Sequence, residues 1–252
     1  MELWEVAALL AAGIGAGAIN AVVGSGTLIT FPTLLALGYP AVLANVSNNI
    51  GLVPGSASGA WAYRRELEGQ RSRVLRLAGC SVAGGIIGAI LLLELPESAF
   101  DAIVPVLILL AVVLVIIGPR LNRLIAARRT GEAPVHGGLA VLAAVFFCGI
   151  YGGYFGAAQG ILLMAFLGIL LDESMQRLNA VKNVLAGLVN LVAAIVFIFS
   201  TEVAWDAVAV IAIGSTIGGQ LGGVYGRRLP PNVLRAIIVA VGTTAAVRLL
   251  VT

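Results

Sequence analysis

Gly24-Ser25-Gly26-Thr27 and, 134 positions further on, Ala158-Gln159-Gly160-Ile161 decide how this chain folds. Each interrupts a long apolar stretch. Read as one helix, residues 5 to 38 would be about 51 Å long at roughly 1.5 Å per residue, against a hydrocarbon core of about 30 Å. The chain must therefore break or turn. Gly24-Ser25-Gly26 with Pro32 in the first stretch, and Ala157-Ala158-Gln159-Gly160 in the second, are where it can.

The same offset of 134 pairs the rest of the chain without a gap. Gly15 falls on Gly149, Asn45 on Asn179, Asn49 on Asn183, Ser81 on Ser215, Gly84-Gly85 on Gly218-Gly219, Gly88 on Gly222 and Leu95-Pro96 on Leu229-Pro230. Apolar composition produces chance Leu and Ala matches, but not shared Asn, Ser, Pro and Gly-Gly positions. The sequence divides into a first repeat, 1–118, a basic linker, 119–137, and a second repeat, 138–252.

Of 252 residues, 60% are hydrophobic and 11% charged, and the mean hydropathy is +1.06. Soluble domains carry about 25% charged residues, so this is a membrane protein, with room for about eight to ten segments of about 20 residues. The apolar segments run over 5–23, 27–45, 46–63, 74–93 and 99–118, then 138–157, 161–177, 179–200, 204–226 and 232–251. Met1 to Gly13 holds Glu2 and Glu5 and no basic stretch, so it reads as part of the first span and not as a cleaved signal. The fold class is all-α: a polytopic membrane protein of two homologous repeats with broken or re-entrant helices.

Charge orients it. The formal charge of +3 comes from short basic clusters between apolar runs, which are topology signals and not a nucleic-acid surface. If the piece after each break crosses the membrane, every half has an odd number of spans and the halves are inverted. The basic loops Arg64 to Arg76, Arg120 to Arg129, Arg177 and Arg227-Arg228 then share one side, with the linker cytoplasmic. Glu2, Glu5, Glu94 to Asp101 and Glu202 to Asp206 face the other side, with both termini. A re-entrant hairpin is the competing arrangement, and the inverted one is preferred because it keeps Arg227-Arg228 with the other basic loops.

Polar groups at membrane depth must be buried in protein or line a cavity. At the breaks, freed amides and helix N-termini can face an anion. In Asn45-Val46-Ser47-Asn48-Asn49 and Asn179-Ala180-Val181-Lys182-Asn183, the outer asparagines stand four apart and share a helical face. Lys182 adds positive charge there; the bland alternative is interhelical glue with a lysine that snorkels to the interface. Pro54 to Gly59, Gly187 with Asn190, and the Ser81 and Ser215 groups read as close helix packing. Trp4, Trp61, Tyr63 and Trp205 fall near span ends, as an aromatic belt would, and Arg248 near a chain end can reach the interface.

Other chemistry has little support. Cys80 and Cys148 are isolated, with no metal-ligand spacing, and the single histidine, His136, stands in a polar loop. Ser25 in its Gly-Ser-Gly setting therefore lacks a base for nucleophilic catalysis. No catalytic residue, metal or cofactor is expected. Glu94, Asp101, Asp172, Glu202 and Asp206 lie near span ends, which gives proton coupling through a buried carboxylate weak support.

The glycine-rich opening helix with Gly24-Ser25-Gly26-Thr27 and Phe31-Pro32, then Ala44-Asn45-Val46-Ser47-Asn48, then Gly160 and Asn179-Ala180-Val181-Lys182-Asn183, resemble the TauE/SafE (sulfite exporter, DUF81) family of membrane permeases over essentially the whole chain. The resemblance implies a multi-pass transporter of the prokaryotic plasma (inner) membrane for sulfite, an organosulfonate such as sulfoacetate, or a related small anion. Lys182 is matched by Asn48 and Gln159 by Ser25, so one half alone supplies the charge. The reading is a secondary transporter working by alternating access, with substrate-binding residues Ser25, Gly26, Asn45, Asn49, Gln159, Gly160, Asn179, Lys182 and Asn183. Its partners are the anion and the lipid bilayer, with a homodimer left open; an anion channel and an intramembrane enzyme are the alternatives.

Overall fold

A computed structural model describes residues 1–127 and 138–226 together with Val239, Ala240 and Thr243. Those three residues apart, the expected segment 232–251 lies outside the described residues, as do Arg227-Arg228, Arg248, and His136 with the rest of the linker from 128. The described residues form helices α1 (Leu3–Val22), α2 (Thr27–Ala36), α3 (Ala41–Ala62), α4 (Arg71–Glu94), α5 (Glu97–Ala127), α6 (Leu139–Tyr154), α7 (Gln159–Leu170), α8 (Met175–Ser200) and α9 (Trp205–Tyr225), with a short 3-10 turn at Arg64–Leu67. By length and composition α1, α4, α5, α8 and α9 can each cross a membrane.

Both breaks are real. Gly24 has φ +90° and Gly156 φ +73°, a left-handed backbone that costs a residue with a Cβ about 1–2 kcal/mol. Beyond them, α2 and α7 have 10 and 12 residues, about 15–18 Å, roughly half the hydrocarbon core. Two expected boundaries move. Gly38 at φ +88° followed by Pro40 stops α2, so Asn45 belongs to α3 with the other asparagines of its cluster. Ser174 caps α8 through its hydroxyl, which accepts the Arg177 N–H, and this opens the turn at Asp172 to Ser174. In addition α5 runs past Pro119 to Ala127, so the start of the expected linker is helical.

Helix direction follows from which residues meet. Gly13 lies against Gly214 and Gly17 against Gly219, so α1 and α9 run the same way; Gly55 on Ser215 and Gly59 on Gly219 place α3 parallel to both. Gly84 against Gly149 and Gly88 against Tyr154 make α4 and α6 parallel, and Ser81 on Leu185 with Gly85 on Val189 adds α8 to that set. The sets oppose each other: α3 meets α8 at Ser56 and Asn190, and Gln70, beyond the end of α3, bonds Arg177 at the start of α8. Among the described residues α1, α3 and α4 thus run opposite to their counterparts α6, α8 and α9. The halves are inverted and interleaved, the first helix of each packing on the fourth of the other.

Lipid offers no hydrophobic drive for helices to associate, so close van der Waals packing must hold them. A Cβ on Gly17, Gly84, Gly88 or Gly218 would sit 2.0–2.2 Å from a carbonyl oxygen of the facing helix. The outward surface of α5 and α8 is apolar and open, with Val106, Ile116 and Phe199 exposed. Trp4, Trp61 and Trp205 are exposed near helix ends as expected of a belt, but Tyr63 is buried, tucked beside Gly223.

The starts of α1, α3 and α9 share a face that carries Glu2, Glu5 and, from the helix ends nearby, Glu94, Glu97, Asp101, Glu202 and Asp206. The opposite face carries Arg64, Arg65, Arg71, Arg73, Arg76 and Arg177.

Candidate functional site

Ser56 and Asn190 occupy the same repeat position, and the Asn190 amide donates to the Ser56 hydroxyl at 3.2 Å. Equivalent residues of inverted halves meet on the pseudo-twofold axis, which lies in the membrane plane, so this contact marks mid-depth. The two breaks meet beside it: the Gly160 N–H donates to the Gly24 carbonyl at 3.1 Å. Around these contacts lies a cavity of about 30 Å³ lined by Gly24, Ser56, Gln159, Gly160, Lys182, Asn183, Asn190, Asn20 and Thr27 among others.

Lys182 is completely buried, which excludes snorkelling. It reaches the C-terminal end of α1, donating from Nζ to the Asn20 carbonyl at 2.8 Å and to Ala21 at 3.5 Å. Asn179 and Asn183 donate to the Ala21 carbonyl at 3.0 and 3.1 Å. The break leaves the last carbonyls of α1 without intrahelical partners, and this polar face of α8 supplies them. A cation at the negative end of a helix is also electrostatically favoured. The first half answers similarly: Asn45 donates to the Tyr154 carbonyl at the end of α6, at 3.0 Å. Asn48, the counterpart of Lys182, instead faces α2, accepting from Thr30 and donating to Thr27 at 3.4 Å.

Of the residues expected to bind an anion, Gln159, Gly160, Lys182 and Asn183 line the cavity; Ser25, Gly26, Asn45, Asn49 and Asn179 do not. Three of the amides expected to be free are engaged. Gly26 N–H bonds the Asn20 side chain at 2.7 Å, Gly160 N–H bonds Gly24, and Gln159 N–H bonds the Gly156 carbonyl. Unpartnered buried polar atoms remain on Ser25 (Oγ), Asn49 and Asn179 (Oδ1) and Gln159 (Nε2). Sequence reasoning missed Asn20 and Thr27, and it took Ser56 and Asn190 for packing. Asn20 has Tyr154 as its repeat partner and so carried no paired signal; Ser56 and Asn190 did pair across the repeat, and that was the available clue.

Two ties join the halves at opposite faces. Glu173, between α7 and α8, bonds Arg73 of α4 at 3.1 Å and Arg177 at 3.0 Å. Gln70 adds bonds to Arg73 and to the Arg177 carbonyl. Partial burial pushes the Glu173 carboxyl up, but the Ser174 N–H and the two guanidiniums outweigh it and hold the group below the usual carboxylate range. At the equivalent position on the acidic face stands Tyr39, whose hydroxyl donates to Asp206 at 3.3 Å. Burial, then the Asp206 charge and that bond, raise its phenol.

Two inverted halves enclosing a polar cavity at mid-depth, where two half-helices begin, define the class of polytopic membrane transporters. The family model for sulfite exporter TauE/SafE matches residues 9–249, and the chain belongs to that family of membrane transporters, which are not enzymes. A protein of Sinorhizobium named "Probable membrane transporter protein ORF9" is 26% identical over 97% of this chain and 92% of its own length. "Probable membrane transporter protein YfcA" of Escherichia coli K12 is 25% identical over 93% and 86%. A "Probable membrane transporter protein" of Haemophilus influenzae is 26% identical over 86% and 83%. No solved structure matches the chain.

Proposed function

We propose that the chain is a carrier for a small sulfur-containing anion, sulfite or an organosulfonate such as sulfoacetate, working by alternating access between its inverted halves. The observation that carries this reading is the convergence of the buried Lys182 and the N-terminal ends of α2 and α7 on one cavity. A helix N-terminus is equivalent to about half a positive elementary charge, so these three elements make the centre of the protein attractive to an anion. The family's description as a sulfite exporter supports the sulfur-containing class. At about 30 Å³ the cavity holds one or two waters and no sulfite, so the halves must part to admit it. A carrier does this once per cycle. The basic face is the cytoplasmic one by the positive-inside rule, and the bacterial relatives support a prokaryotic plasma membrane.

Counterflow in proteoliposomes tests the reading, with sulfite, sulfoacetate, sulfate and acetate on wild type and Lys182→Met. Saturable exchange of sulfite or sulfoacetate is expected, reduced about tenfold or more in the variant, the equivalent of about 1.4 kcal/mol. Full exchange by the variant would sink the role given to Lys182. Conductance without saturation or counterflow would replace the carrier by a channel, and folded wild type that exchanges none of these anions would overturn the substrate class.

A further inference from the structure

We infer that the cavity selects sulfonates and sulfite that carry no ammonium group, with Asn20 and Thr27 as specificity-determining contacts; this rests on the proposed anion reading and narrows it.

Two cavity-lining side chains, Asn20 and Thr27, are pinned by their own hydrogen bonds. The Asn20 oxygen is committed to the Gly26 N–H at 2.7 Å, which fixes the sense of the carboxamide and leaves its Nδ2 as a donor in a residue that lines the cavity. Thr27 also lines it, and its oxygen accepts the Asn48 amide at 3.4 Å, so the hydroxyl proton is left to donate. Gln159 is 3% exposed, lines the same cavity, and its Nε2 has no partner. Lys182 Nζ has carbonyl partners on Asn20 and Ala21 and a third proton to spare. Residues of α1, α2, α7 and α8, each with a donor to spare, therefore line one small space. A buried donor that is unpaired in the closed protein is costly, and the three oxygens of a sulfonate or sulfite are all acceptors.

The space holds no countercharge for a cation. Among the described residues no carboxylate lines the cavity, and the carboxamide oxygens of Asn183 and Asn190 are neutral. An ammonium on the same small molecule would be brought close to Lys182 and shed its water without an anionic partner, which disfavours it strongly. Rejection by an unpaired charge discriminates more sharply than a missing attraction.

Calorimetric titration of the purified protein tests this with ethanesulfonate and 2-aminoethanesulfonate, which share a sulfonate and differ by one ammonium, alongside sulfite and sulfoacetate. Wild type should bind ethanesulfonate at least about tenfold more tightly than the amino compound. Asn20→Asp keeps the acceptor for Gly26 and adds a carboxylate, so it should reverse or erase that preference. Thr27→Val, close in shape, should weaken ethanesulfonate about threefold to tenfold, and its melting temperature should fall as well, because the buried Asn48 amide loses its acceptor. Equal binding of the two sulfonates by wild type overturns the inference, as does an unaltered preference in Asn20→Asp or unaltered affinity in Thr27→Val. If wild type binds neither sulfite nor any sulfonate, the anion reading itself fails, a result distinct from equal binding of both probes.

Discussion

Replacing Gly24 by alanine should be among the most damaging single-methyl changes in the protein, and Gly38→Ala supplies the control that shows why. Both glycines have positive φ, +90° and +88°, so each pays the left-handed strain of about 1–2 kcal/mol. At Gly38 the new Cβ meets nothing within 4 Å. At Gly24 it would stand 2.4 Å from the Gly160 Cα and 2.9 Å from its carbonyl carbon, where carbons rest at about 3.5–4.0 Å. Both neighbours are backbone, so no rotamer relieves the overlap. The halves must separate by about 1 Å, which adds the 1–3 kcal/mol typical of overpacking and stretches the Gly160 to Gly24 hydrogen bond, now 3.1 Å. The total is about 2–5 kcal/mol for Gly24→Ala against about 1–2 for Gly38→Ala. In a thermal melt in detergent, at about 2–4 °C per kcal/mol for a chain of this size, Gly24→Ala should fall roughly twice as far or more. Equal melting temperatures for the two variants would refute the claim that the backbones touch.

Glu173→Gln should lower the melting temperature at neutral pH by the equivalent of about 1–3 kcal/mol, because it removes the carboxylate that faces the nearly buried Arg73. Since the folded Glu173 titrates below its unfolded value, its contribution is complete above about pH 4.3 and is lost as pH falls through the lowered value. The gap between wild type and Glu173→Gln should therefore close in acid; a constant gap would contradict the assignment. Phe155→Ala removes a ring packed edge-on against Phe31 at 5.3 Å and beside Phe100 at 6.2 Å, and should cost about 3–5 kcal/mol in the same melt.

The breaks were legible because length, glycine and the repeat all pointed to the same residues, and the charge pattern already placed Arg64 to Arg76 and Arg177 on one face. The asparagine clusters were legible as buried polar faces. What they do was not, because the partners of Asn179, Lys182 and Asn183 are main-chain carbonyls of α1, and a carbonyl has no letter in a sequence. The same reason hid the engagement of the Gly26 and Gly160 amides. Asn20 was not legible because its repeat position holds Tyr154 in the other half, and a site near a pseudo-twofold axis can take a residue from one half only. Tyr63 was assigned to the belt from its position at a helix end, whereas its burial depends on Gly223 of α9, far away in the chain.

The ties at the two faces sit at one repeat position, yet one is a pair of ionic contacts around Glu173 and the other a phenol donating to Asp206. Dissolved salt screens the first, through its more exposed Arg177 contact, more than the second, whose phenol carries no charge. Ionic strength is thus a dial that turns further at one end of the molecule than at the other. Two ends that occupy one repeat position answer differently to the solution that bathes them.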